Sequence, residues 1–225
     1  MDEINETKTS PIRLKHFTSI VALAGILESG TLCLSDPNQE NSPWEDKNDL
    51  AALNAYKRIT GAQKIRVLCL AQGDEQIHHW FYYAKKDAGC CIHFKTDALL
   101  AALQQENAFL SGFIVYKPKA ELSAAWLRTQ PVEKLPFIKR RAFEAEQEYR
   151  VIWKGTEDTE CPPISVVDCI DHITLGPGLA EQKGAGLKRL LETKYALTVN
   201  HSRLLKDDDW ITRFDTVYKN QEIKR

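Results

Sequence analysis

Short segments rich in β-branched and apolar residues alternate along this chain with stretches of helical periodicity, and several of them follow one another without a full crossover helix. KIRVLCLAQ (64–72), CCIHFK (90–95) and EYRVIWK (148–154) carry the strand signature. IVALAGILESG (20–30) repeats apolar residues at helical spacing, with Ser19 as its cap and Gly30 as its stop. Further strands are read at 13–19, 31–35, 109–117, 170–178 and 195–204. Further helices are read at 50–59, 74–88, 96–107 and 179–194, and 120–147 reads as mainly helical, interrupted by Pro131 and Pro136. A doubly wound parallel sheet needs a crossover between each pair of strands. The order seen here therefore predicts an α+β fold with a mixed, largely antiparallel sheet of short strands. The 225 residues suit a single domain, read as residues 11–219, with flexible tails at 1–10 and 220–225.

Lys and Arg number 30 against 31 Asp and Glu, a net charge of −1, so no long-range field draws the chain to nucleic acid or acidic membranes. A local basic patch stays open. No apolar run approaches the roughly 20 residues that span a bilayer, and the opening MDEINETKTS is polar and acidic, the opposite of a signal peptide. The expectation is a cytoplasmic protein that does not engage membranes. The six cysteines (Cys33, Cys69, Cys90, Cys91, Cys161, Cys169) form no CxxC pair and read as buried free thiols, with Cys90 and Cys91 on opposite faces of a strand.

FEAEQEYRVIW (143–153) is the strongest chemical signal. Residues two apart on a strand share a face, so Glu146 and Glu148 are placed to aim two carboxylates into one cleft. Such a pair suits a cationic transition state, one oxygen stabilising charge on a sugar ring and another orienting a nucleophile. The same glutamates also suit an acidic helix end paired with Lys139, Arg140, Arg141 or Arg150. KHFTS (15–19) offers a histidine followed by small hydroxyls, able to hold a sugar hydroxyl, a carboxamide or a phosphate, or simply to sit satisfied in the core. HHWFYYA (78–84) places Trp80 and Tyr83 on one helix face and Tyr82 on another, as a wall for stacking a planar ring or as bulk packed on the sheet. KLPFIKRR (134–141) supplies Lys139, Arg140 and Arg141 for a pyrophosphate or a nucleic-acid backbone. WEDKND (44–49) is an acidic loop. Adjacent helical histidines such as His78 and His79 diverge, and without HExxH or Cys/His spacing no metal site is expected. No P-loop or GxGxxG is present.

Taken in order, LKHFTSIVALAGILESGTLCLS, PWEDKND, VLCLAQGDEQIHHWFYYAKKDAGCCIHF, FIVYKP, FIKRRAFEAEQEYRVIW and ITLGPG resemble a bacterial family catalogued as domain of unknown function 2971, over most of the chain from about Arg13 to Leu204. A looser likeness is to ADP-ribosyltransferases, which place a strand with His or Arg first, an aromatic in the middle and a glutamate late on a strand. His16, Tyr82 or Tyr83, and Glu148 fall in that order, and EQE is similar to the E-x-E signature. The first motif lacks the usual small residue directly after His16, and no S-T-S element is visible. The likeness implies an ADP-ribosyltransferase-like fold and cleavage of the nicotinamide–ribose bond of NAD, the substrate. On it, His16 and Thr18 grip the nicotinamide-side ribose and amide, Tyr82 or Tyr83 stacks on nicotinamide, Glu148 stabilises the oxocarbenium-like state and Glu146 orients the acceptor. The acceptor would be a nucleic acid or a protein. A toxin or phage-defence role, with an antitoxin partner, belongs to the same expectation. Two other readings stand beside it: a non-enzymatic nucleotide- or nucleic-acid-binding protein, and a Mg²⁺-dependent nuclease using Asp46, Asp49 and the glutamates beside the basic run.

Overall fold

A computed structural model describes residues 12–39, 47–84, 88–105 and 108–218. In chain order the regular elements are β1 (Lys15–Ser19), α1 (Ile20–Ser29), β2 (Thr31–Leu32), α2 (Lys47–Ile59), β3 (Lys64–Ala71), a π-helical turn (His79–Tyr83), β4 (Gly89–Phe94), α3 (Thr96–Gln105), β5 (Phe109–Phe113) and β6 (Val115–Lys117). There follow α4 (Ala124–Arg128), β7 (Ile138–Arg140), β8 (Glu148–Gly155), β9 (Ile164–Ser165), β10 (Ile170–Leu175), α5 (Glu181–Tyr195), β11 (Thr198–His201) and α6 (Asp208–Tyr218). Seven strands form one sheet in the order β11-β10-β4-β1-β3-β8-β5. Only β10 and β11 run parallel, and α5 makes the crossover that a parallel pair requires. All other neighbours in the sheet are antiparallel. Two-stranded ladders, β2–β9 antiparallel and β6–β7 parallel, flank it. The result is a single α+β domain with a mixed, mostly antiparallel sheet. Among the described residues no helix is long and apolar enough to cross a membrane.

Strand periodicity sorts the central side chains between two faces. The β3–β8 ladder pairs Leu68 with Val151 and Leu70 with Tyr149 on one face, and Val67 with Ile152, Cys69 with Arg150 and Ala71 with Glu148 on the other. The first face carries the largest apolar cluster, where Leu23 and Ile26 of α1, Leu99 and Leu103 of α3 and Leu191 of α5 pack against Cys90, Ile92 and Val151. The second face is covered in two pieces. Leu53 and Tyr56 of α2, with Ile114 and Phe137, close over Ile65, Val67 and Ile152. Trp80 and Ala84 close over Phe17, Ala71 and Cys91. Cys90 and Cys91 thus do face opposite ways.

Helix α1 matches its sequence signals closely: Ser19 accepts a hydrogen bond from the Ala22 amide, and Gly30 ends the helix in the left-handed region at φ 68°. Elsewhere the sequence reading needs correction. The strand read at 109–117 breaks at Ile114, whose amide donates to the Glu148 carbonyl, so β5 and β6 enter different sheets. The region read as mainly helical, 120–147, is a chain of 3-10 turns with only α4 helical and β7 extended. Pro131, Pro136 and the pairing of β7 with β6 account for that. The helix read at 74–88 is a short π-helical turn, with the Ala84 amide bonded to the His79 carbonyl. Cys33 is exposed rather than buried, while all six thiols are free. The tails read at 1–10 and 220–225, and Trp44 and Asp46 of the acidic loop, lie outside the described residues.

Candidate functional site

Between the two apolar pieces of the second face lies a cluster of charged side chains. Arg150, fully buried, extends from β8 and holds two carboxylates at once. Its Nε and Nη2 donate to Glu148 Oε1 and Oε2 at 2.6 and 2.9 Å, and its Nη1 and Nη2 donate to Asp49 Oδ1 and Oδ2 at 3.0 and 2.7 Å. The Pro136 carbonyl accepts a further bond from Nη1 at 2.8 Å. Lys139 of β7 reaches in beside it, donating to Glu146 Oε2 at 2.6 Å and Glu148 Oε2 at 3.3 Å. Tyr83 caps the outer end, its hydroxyl donating to Glu146 Oε1 at 2.8 Å. The Glu148 amide donates to the Tyr116 hydroxyl at 2.9 Å. Glu146 is 8% exposed and Glu148 4%, whereas Tyr83 is 37% exposed.

Local backbone explains the convergence of the two glutamates. Glu146 ends a 3-10 turn and Glu148 begins β8, with Gln147 between them in the left-handed region at φ 45°. That kink turns both carboxylates toward Lys139; strand alternation, the reason offered by the sequence, is not the route. Asp49 joins because residues 47–49, the end of the stretch read as an acidic loop, form the first turn of α2, where its side chain is buried.

Burial alone would keep the Glu148 carboxyl protonated, but Arg150 and Lys139 overcome it and hold the group at about 2. Burial likewise opposes charge on Lys139, and Glu148, Glu146 and Asp49 outweigh it and raise its pKa. Desolvation and the Glu146 carboxylate push the Tyr83 phenol up. Burial, reinforced by Glu148, also raises the Cys69 thiol, which places no thiolate in the site. His79, 1% exposed, is lowered to about 4 by burial and by His78, so it is neutral near pH 7. Its Nδ1 accepts from the Gln76 amide at 3.2 Å, which puts the proton on Nε2, and an interaction with the Glu146 backbone works against the lowering.

The sequence-predicted residues divide sharply. Glu146, Glu148, Lys139 and Tyr83 come together. His16 and Thr18 do not join them. In the sheet Lys15, Ala71 and Glu148 lie in one row, so Lys15 and Phe17 line the charged face while His16 and Thr18 leave the opposite one, opposite Ile92 and Cys90. His16 is half-buried there, its Nδ1 at 3.1 Å from the Cys69 carbonyl, and burial lowers its pKa. This is the satisfied core histidine. Tyr82 is 59% exposed. Of the basic run, Lys139 points inward and is neutralised by carboxylates, Arg140 lies over the Phe143 ring at 5.2 Å, and Arg141 is exposed and pairs with Glu144. The pairing of the glutamates with Lys139 and Arg150, the plainer of the two readings of this motif, is therefore also present. Among the described residues no group of three or more His, Cys, Asp or Glu side chains is arranged to hold a metal ion. Asp49, which the nuclease reading grouped with the glutamates, does share Arg150 with Glu148; Tyr116, Cys69 and His79 were not singled out by their sequence context as neighbours of the glutamates.

Chemically, the cluster sets the carboxylates of Asp49, Glu146 and Glu148 against Lys139 and Arg150, with Lys15 buried on the same face, beside a partly exposed phenol ring. Comparison of the chain with family models, with curated proteins and with solved structures finds no match.

Proposed function

We propose that this chain cleaves NAD at the nicotinamide–ribose bond and passes ADP-ribose to a macromolecular acceptor, with Glu146 and Glu148 as the carboxylates that face the sugar. The observation that carries the reading is the pair of buried carboxylates, Glu146 and Glu148, beside Tyr83. A positive charge developing on ribose as the C1′–N1 bond breaks is favoured next to preorganised carboxylates in a dry site. Glu148, clamped by Arg150, stays ionised and fixed in direction. Glu146, nearer the surface, takes the proton of the incoming acceptor hydroxyl or amine as its oxygen or nitrogen attacks C1′; nicotinamide leaves with the bonding pair. The Tyr83 ring stacks on nicotinamide. Entry requires the π-helical turn to swing Tyr83 off Glu146, and single π turns are frequent at functional sites.

One observation favours a second reading, a purely structural ion network in a non-catalytic protein: Arg150 occupies both oxygens of Glu148 and both of Asp49. The same assay separates them. Purified protein incubated with NAD and mixed protein and nucleic-acid acceptors should release nicotinamide, detected by chromatography, with and without EDTA. Glu146→Gln should abolish release in a protein whose circular dichroism shows it still folded at the assay temperature, at a lower melting temperature because Lys139 loses its partner. Equal, background-level release by wild type and variant sinks the catalytic reading.

A further inference from the structure

The loop between β3 and the π-helical turn is tied to the frame around Glu146 and Glu148. The Gln72 amide donates at 2.9 Å to the carbonyl of Gln147, the left-handed residue between the two glutamates. The Lys15 ammonium donates to the Gly73 carbonyl, and Gly73 itself turns the chain at φ 76°. The loop then presents Glu75, half-buried, whose Oε2 accepts two bonds. One comes from Trp80 Nε1 at 2.8 Å and the other from the Ser202 hydroxyl at 2.7 Å. Trp80 is 2% exposed, and a buried indole N–H requires an acceptor.

Ser202 is fixed from its own side. Its amide donates to the Leu175 carbonyl at 2.9 Å, which continues the pairing of β10 with β11, and its hydroxyl accepts from the Leu204 amide at 3.2 Å. Leu204 packs against the apolar cluster that contains Trp80. Glu75 thus joins the π-helical turn to a segment 127 residues away. Tyr83, three residues beyond Trp80 on the same turn, donates to Glu146. The turn is therefore fastened to the carboxylates through Tyr83 and to the end of β11 through Glu75. With the first fastening alone it is free to pivot; the second fixes where the Tyr83 ring stands.

We infer that Glu75 is a positioning residue, which sets the Tyr83 ring beside the carboxylate pair by clamping Trp80 to Ser202, a role that rests on the NAD-cleaving reading above. Hydrogen exchange followed by mass spectrometry, with nicotinamide release in parallel, tests this on the full chain. Glu75→Ala removes both bonds, Ser202→Ala removes one, and Glu75→Gln keeps an oxygen for both donors. Exchange at residues 79–84, where the Ala84 amide bonds to the His79 carbonyl, should rise roughly tenfold or more in Glu75→Ala. The rise should be smaller in Ser202→Ala, and Glu75→Gln should stay close to wild type. Protection of β3 and β8 should hold in all three. KM for NAD should increase in Glu75→Ala with kcat far less changed, because Glu146 and Glu148 are untouched. Should Glu75→Ala not fold, Ser202→Ala carries the same readouts. Unchanged exchange at 79–84, a rise spread equally over β3 and β8 in a folded variant, or an unchanged KM overturns the role. Wild type that releases no nicotinamide sinks the NAD reading instead, and exchange alone then decides whether Glu75 clamps the turn.

Discussion

Replacing Glu148 by Gln keeps the shape of the side chain and removes its charge, leaving Arg150 with one carboxylate and Lys139 with a weaker set of partners. The folded carboxyl sits at about 2 against a reference of 4.5, and that difference corresponds to about 3 kcal/mol of stability near neutral pH. Breaking one side of a buried pair costs roughly 3–5 kcal/mol by an independent route, so the two figures agree. The pH dependence follows from the direction of the shift. A depressed carboxyl stabilises the fold fully above its unfolded pKa and loses that contribution as pH falls toward the folded value. The penalty of Glu148→Gln should therefore be about 3 kcal/mol at pH 7, fall below half of that near pH 3, and vanish toward pH 2. Urea unfolding of both proteins between pH 7 and pH 3 measures it. A penalty of the same size across that range would show that the ion pairs contribute nothing to it, and the electrostatic account of the cluster would fail.

Gly89→Ala should disrupt the seat of the π-helical turn, because a Cβ there would stand 2.2 Å from the Ala84 carbonyl oxygen and 2.6 Å from the Ala84 Cβ; a melting curve should register a loss of about 1–3 kcal/mol, and an unchanged one would contradict the packing described. In the native state a thiol alkylating reagent should label Cys33 first by mass spectrometry, since it alone is exposed while burial raises Cys69, Cys90 and Cys91. Early labelling of Cys90 or Cys91 would contradict their place in the core.

The parts of this fold that rest on local signals were open to reading in the sequence. KIRVLCLAQ and EYRVIWK announce their strands through β-branched and apolar content, and Ser19 and Gly30 mark the ends of α1 through capping chemistry. Long-range partners were not open. Nothing near Asp49 signals that its carboxylate meets a guanidinium 101 residues away, so an acidic turn reads as solvated. The break at Ile114 has the same cause, because its amide bonds to the chain at Glu148. Both faces of β1 are covered, with Leu14 in one apolar cluster and Phe17 in another, so apolar alternation could not tell which face His16 would take. The glutamates converge through the left-handed Gln147, a conformation favoured by Gly and Asn and given no sequence signal here.

The charge preference of the site tests the central claim most directly. NADH and a hydrolysis-resistant carbocyclic NAD⁺ differ chiefly in the positive charge on the nicotinamide ring. At an effective dielectric of about 20, the Glu146 carboxylate within reach of that ring favours the cation by about 1–3 kcal/mol, roughly tenfold or more in affinity. Calorimetric titration should give that ratio for the wild type and a ratio near one for Glu146→Gln. Equal binding of the two dinucleotides to the wild type, or no binding of either, would contradict the assignment of Glu146 and Glu148 to a cation-stabilising site.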